Sequence, residues 1–164
     1  MKTKKLTACG VLSALAFGLS YIELMLPSLP IPGAKLGIAN ISVMIALYIL
    51  SPVEAALVSF VRLILSWLIF GSFTGFIYSL CGSVLSLITM AVLKKTGKFS
   101  PVGVSIGGGV CHNIGQLFAA VLFMGRSVLS YLPVLLIAGA VTGAIIGLLV
   151  AGVLKSLKSF RKGT

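Results

Sequence analysis

The chain has 164 residues, 59% of them hydrophobic and 9% charged, with a mean hydropathy of +1.19 and a formal net charge of +11. That balance excludes an ordinary soluble domain, and because the basic residues sit beside apolar runs they read as topology signals, not as a nucleic-acid surface. An all-α polytopic membrane protein with roughly six transmembrane helices is expected, as a single transmembrane domain over residues 1–164.

In chain order, the first apolar segment covers 5–25. It follows "MKTKK", which imitates the opening of a signal peptide, but its length and the lack of a small-x-small cleavage site make it a retained helix. Gly10, Ala14 and Gly18 recur along it at four-residue spacing. Next comes "PSLPIPGAKLGIANI", residues 27–41, with three prolines, two glycines, Lys35 and Asn40. Its prolines stiffen an extended segment and its glycines permit turns, so it reads as a semi-rigid lid before a short second helix at 37–51.

"SPVE" at 51–54 separates that helix from a third at 53–70, where Glu54 suits the positive end of the helix dipole. Ser59, Arg62 and Ser66 form a polar stripe in the third helix, and Arg62 is too deep for easy snorkelling. Either a ligand or a bridge to Glu54 or Glu23 could hold its charge. Residues 54 and 62 differ by about 80° on a helical wheel, which favours the ligand.

"GSFTG" at 71–75 leads into a fourth helix at 74–93, whose Ser79, Ser83 and Ser86 read as a packing face. After "KKTGK" at 94–98, a fifth helix at 102–124 carries "GGGVCHNIGQ". His112 and Gln116 share a face there, with Asn113 beside them and Gly108 and Gly109 leaving volume one turn earlier. This polar notch suits helix-to-helix hydrogen bonding or ligand contact. Following "MGRS" at 124–127, the sixth helix spans 130–154 and carries Gly139, Gly143, Gly147 and Ala151. Both small-residue ridges suit close helix packing within the chain, with a docking face for another membrane subunit as the alternative.

With both termini in the cytoplasm, Lys2, Lys4, Lys5, Lys94, Lys95, Lys98, Lys155, Lys158, Arg161 and Lys162 lie inside, and only Lys35 and Arg126 occupy outer loops. The cell membrane is the expected location, and the 27–41 stretch faces outward.

Chemistry is limited by what the chain lacks. It has no aspartate, and Glu23 and Glu54 are its only carboxylates, so neither paired-carboxylate hydrolysis nor aspartate-rich binding of magnesium diphosphates is available. The "GK" at 97–98 is followed by Phe99 and makes no phosphate loop. The sole histidine, His112, has no acid in its segment to complete a triad. Cys9, Cys81 and Cys111 are far apart and read as small buried residues. No enzyme activity, metal or cofactor is expected.

"PGAKLGIANI" at 32–41 and "GGGVCHNIGQ" at 107–116, in a six-span chain of this size, resemble the Gx transporter family, also labelled heptaprenyl diphosphate synthase component I. That family in turn resembles the substrate-binding S components of energy-coupling-factor transporters. The resemblance implies capture of a small vitamin-like or precursor molecule, with a coupling membrane subunit and ATPases in trans, docked through Gly10, Ala14 and Gly18. Lys35, Asn40, Arg62, His112, Asn113 and Gln116 are the candidate contacts, and they suit an anionic or carbonyl-bearing ligand. The alternative is a non-catalytic accessory subunit for polyprenyl diphosphate or quinone synthesis, holding a soluble enzyme through the basic cytoplasmic segments "KKTGK" and "KSLKSFRK".

Overall fold

The computed structural model describes residues 2–25, 37–71 and 73–162, and these are helical almost throughout, without a strand. The elements are α1 (Lys2–Met25), α2 (Asn40–Ile49), α3 (Pro52–Phe70), α4 (Phe73–Thr96), α5 (Pro101–Met124), a 3-10 turn (Arg126–Tyr131) and α6 (Leu132–Lys162). Five of them are long and apolar enough to cross a membrane, and α2 is a shorter apolar helix. The chain is a multi-pass, all-α membrane protein.

Local chemistry explains the boundaries. Ser51 and Ser100 each stand just before a proline and cap the helix that follows, accepting from Val53 N at 3.3 Å and from Gly103 N at 3.2 Å. Glu54 completes the first of these caps: the Ser51 hydroxyl donates to its carboxylate, and Lys5 reaches the same group at 3.4 Å. Gly71 ends α3 with φ +67°, a left-handed turn that favours glycine.

The segment expected at 37–51 is helical only over Asn40–Ile49, and this shortening shapes the whole bundle. Ten residues rise about 15 Å, half the apolar thickness of a bilayer. Lys94, near the end of α4, holds the far end of α2, donating to Leu47 O at 2.5 Å with its ammonium 5.0 Å from the centre of the Tyr48 ring. The opposite end of α2 consequently begins about halfway along its neighbours. Apolar on nearly every side, α2 is enclosed, and Val43, Met44, Ala46 and Leu47 form the centre of the core with Ala55, Val58, Val104 and Val150.

α5 packs along α4 on one side and α6 on the other. The α6 ridge is why it can: a Cβ on Gly143 would stand 2.7 Å from Ser105 O, and one on Gly147 2.7 Å from Val102 Cα. The expectation of packing within the chain holds for α6 and not for α1. Gly10, Ala14 and Gly18 are exposed, and a Cβ at either glycine would meet nothing within 4 Å among the described residues. The cysteines divide as well, with Cys9 buried while Cys81 and Cys111 are only half-buried.

Candidate functional site

Because α2 starts at mid-bundle, its first turn opens onto a cleft between the middles of α4, α5 and α6. The cleft is narrow, with a cavity volume of about 10 Å³, room for about one water molecule, and is lined by Gly37, Asn40 and Met44, by Ser86 and Met90, by Ser105, Gly108, Gly109, His112 and Asn113, and by Thr142, Gly143 and Ile146. Glycine keeps the walls thin, since a Cβ on Gly108 would stand 2.5 Å from Met90 Cγ. His112 and Asn113 are 4% and 5% exposed, and Asn113 is braced by donating its amide to Leu135 O at 2.7 Å. Ser86 is 1% exposed, and its hydroxyl has no hydrogen-bond partner among the described residues.

Arg62 belongs to a second cluster beside this cleft. It is 7% exposed and donates from Nη2 to Ser83 Oγ at 2.9 Å and from Nη1 to Ser20 Oγ at 3.5 Å, tying α3 to α4 and α1. Ser83 and Ser86 lie one turn apart on α4, so that helix carries the polar surface from the arginine cluster to the cleft. Ser79, Ser83 and Ser86 are thus buried along α4, as a packing face should be, but Ser83 also holds a charge.

Among the candidate residues, Asn40, His112 and Asn113 come together on the cleft wall. Gln116 is 2% exposed one turn beyond His112 and packs against Gly82 of α4, outside the lining. Arg62 stands in its own cluster, and Lys35 lies outside the described residues, as does most of the proposed 27–41 lid. Of the two polar partners of Arg62, Ser83 is marked by the sequence only as part of a packing face, and Ser20 is not marked at all, because it sits on another helix, α1, and hydroxyls are common in membrane helices. Thr142 was missed for the same reason, on a helix that reads as a glycine ridge. Among the described residues, no group of three or more His, Cys, Asp or Glu could hold a metal ion.

The polar residues and the glycine-thinned walls lie between positions 20 and 147, and the profile of one family matches residues 12–153, most of the chain. The chain belongs to the heptaprenyl diphosphate synthase component I family. That match covers the cleft and the arginine cluster together, so both stand within the family's extent. No curated protein and no solved structure matches the chain.

Proposed function

We propose that the chain is the substrate-binding membrane subunit of an uptake transporter of the energy-coupling-factor type. Its cargo would be a small vitamin-like or precursor molecule related to flavins, quinones or isoprenoids, and it would do no catalysis itself. The observation that carries this reading is the cleft at the start of a half-length helix, deep in the bundle and lined by polar groups that lipid would otherwise penalise. Asn40, His112 and Asn113 are its direct contacts, while Arg62 and Gln116 act from beside it, and Lys35 is a further candidate contact on the sequence alone. Both termini face the cytoplasm in the cell membrane, and the outward ridge of Gly10, Ala14 and Gly18 is the seat for a coupling subunit that works with ATPases in trans.

The family's description supports a second reading, an accessory membrane subunit for polyprenyl diphosphate synthesis. The absence of aspartate from the chain keeps that role non-catalytic. Two measurements separate the readings. Detergent-purified protein should bind one member of a panel of vitamins, flavins, quinones and prenyl compounds, and Asn40→Ala or His112→Ala should weaken it at least tenfold, about 1.4 kcal/mol. Co-purification from the native membrane should return a coupling subunit with ATPases. A soluble prenyltransferase in that eluate, with no binding in the panel, would replace the transport reading with the accessory one.

A further inference from the structure

Gly37, one of the residues lining the cleft, donates its backbone N–H to Glu23 Oε1 at 2.5 Å. Glu23 follows Ser20 by three residues on α1, so the two share a face, and Ser20 is the residue that meets Arg62 Nη1. The carboxylate thus answers two positive groups. One is the approach to the amino end of α2, where aligned peptide dipoles concentrate partial positive charge, although the first two helical N–H groups are already taken, Asn40 N by Gly37 O at 2.8 Å and Ile41 N by Ile38 O at 3.1 Å. The other is the buried Arg62 guanidinium, with which Glu23 interacts electrostatically.

Placed in the bundle interior, a half-helix amino end beside an arginine is a ready anion site. Its charge is already answered from within the chain. Two further groups remain unsatisfied there: Arg62 Nε and, on the cleft wall, the Ser86 hydroxyl, neither with a hydrogen-bond partner among the described residues. We propose that the amino end of α2 and Arg62 form an anion seat, that Glu23 fills it as a built-in anion, and that Glu23 thereby reserves the adjoining cleft for uncharged ligands.

The part of this that concerns ligands rests on the substrate-binding reading. With Glu23 in place, a second anion would meet a carboxylate across a medium that screens charge poorly. The described lining offers no permanently charged side chain to offset that repulsion; its polar groups are Asn40, Ser86, Ser105, His112, Asn113 and Thr142. Met44, Met90 and Ile146 complete the wall with apolar surface. The matching ligand is an uncharged molecule with an apolar body and a carbonyl or hydroxyl for Ser86. Of the two ligand types suggested by the sequence, this selects the carbonyl-bearing one.

Chemical rescue tests the seat without any cargo. In Glu23→Ala, sodium formate should raise the melting temperature of the detergent-purified protein by about 3 °C over sodium gluconate at equal ionic strength, and should leave the wild type unchanged. No formate effect in that variant overturns the seat. Should Glu23→Ala not fold, Glu23→Gln and Arg62→Gln decide: the double variant should be at least as stable as Glu23→Gln alone, and effects that simply add overturn the pairing.

Selectivity is read with matched pairs: riboflavin against flavin mononucleotide, farnesol against farnesyl diphosphate, nicotinamide against nicotinate. The wild type should take the uncharged member of a pair, and Glu23→Gln should shift the ratio at least tenfold towards the anion. A wild type that prefers the anion overturns the selectivity. A seat rescued by formate, with no pair member bound by either protein, upholds the seat and overturns the substrate-binding reading together with the selectivity drawn from it.

Discussion

Gln116 keeps a whole carboxamide at 2% exposure, and neither its Oε1 nor its Nε2 has a hydrogen-bond partner among the described residues. Leaving such groups unpaired costs about 1–3 kcal/mol, so their retention needs a reason beyond folding. Asn113 makes the contrast, since its amide is spent on Leu135 O and ties α5 to α6. Replacing Gln116 with methionine preserves the volume against Gly82 and removes both orphans. Gln116→Met should therefore raise the thermal midpoint by several degrees and weaken cargo binding. A lower midpoint would show that the amide is satisfied in the folded protein and serves the bundle instead.

At the scale of elements, two ridges with the same sequence spacing have opposite surroundings. In α6, a Cβ at Gly143 would press on the backbone of Ser105 and Ile106, and backbone cannot step aside as a side chain can. Gly143→Leu should cost at least about 2–3 kcal/mol, seen as a loss of folded protein in fluorescence-detected gel filtration. Gly10 of α1 has open space over it, so Gly10→Leu should leave the midpoint unchanged. If a membrane partner docks on α1, the second variant loses that partner while keeping its fold. The short α2 is the other decision at this scale. Enclosed by apolar packing and held by Lys94 at one end, it carries its amino end to the middle of the bundle, where both the cleft and the anion seat are built on it.

For the whole molecule, contacts collect the described lysines at one end. Lys5 meets Glu54 at the start of α3, Lys94 meets the last turn of α2, and Val102 at the start of α5 lies against Gly147 in the half of α6 that leads to Lys155 and Lys158. Arg126, in the turn between α5 and α6, is at the other end. The asymmetry predicts which end stays in the cytoplasm. In a background without Cys9, Cys81 and Cys111, a membrane-impermeant maleimide added to intact cells should label Arg126→Cys and spare Lys98→Cys. The reverse pattern would invert the protein and put the start of α2 on the route from the cytoplasm.

The sequence by itself determined the class of protein, because composition and the length of apolar runs report directly on the solvent in which a chain is stable. It also determined the polar residues worth attention, since Arg62, His112, Asn113 and Gln116 are costly in apolar surroundings wherever they point. Lys35 and the prolines of the 27–41 stretch lie outside the described residues, and Asn40 reaches the cleft from the first turn of α2. Tertiary structure alone decided which polar groups meet. A helical wheel relates residues on one helix, whereas Ser20, Arg62 and Ser83 come from three, and Glu23 reaches Gly37 across a segment that no periodicity describes. It decided as well that one glycine ridge is packed and the other open, for small residues at four-residue spacing mark a surface that a backbone can approach without saying whether the backbone is the chain's own.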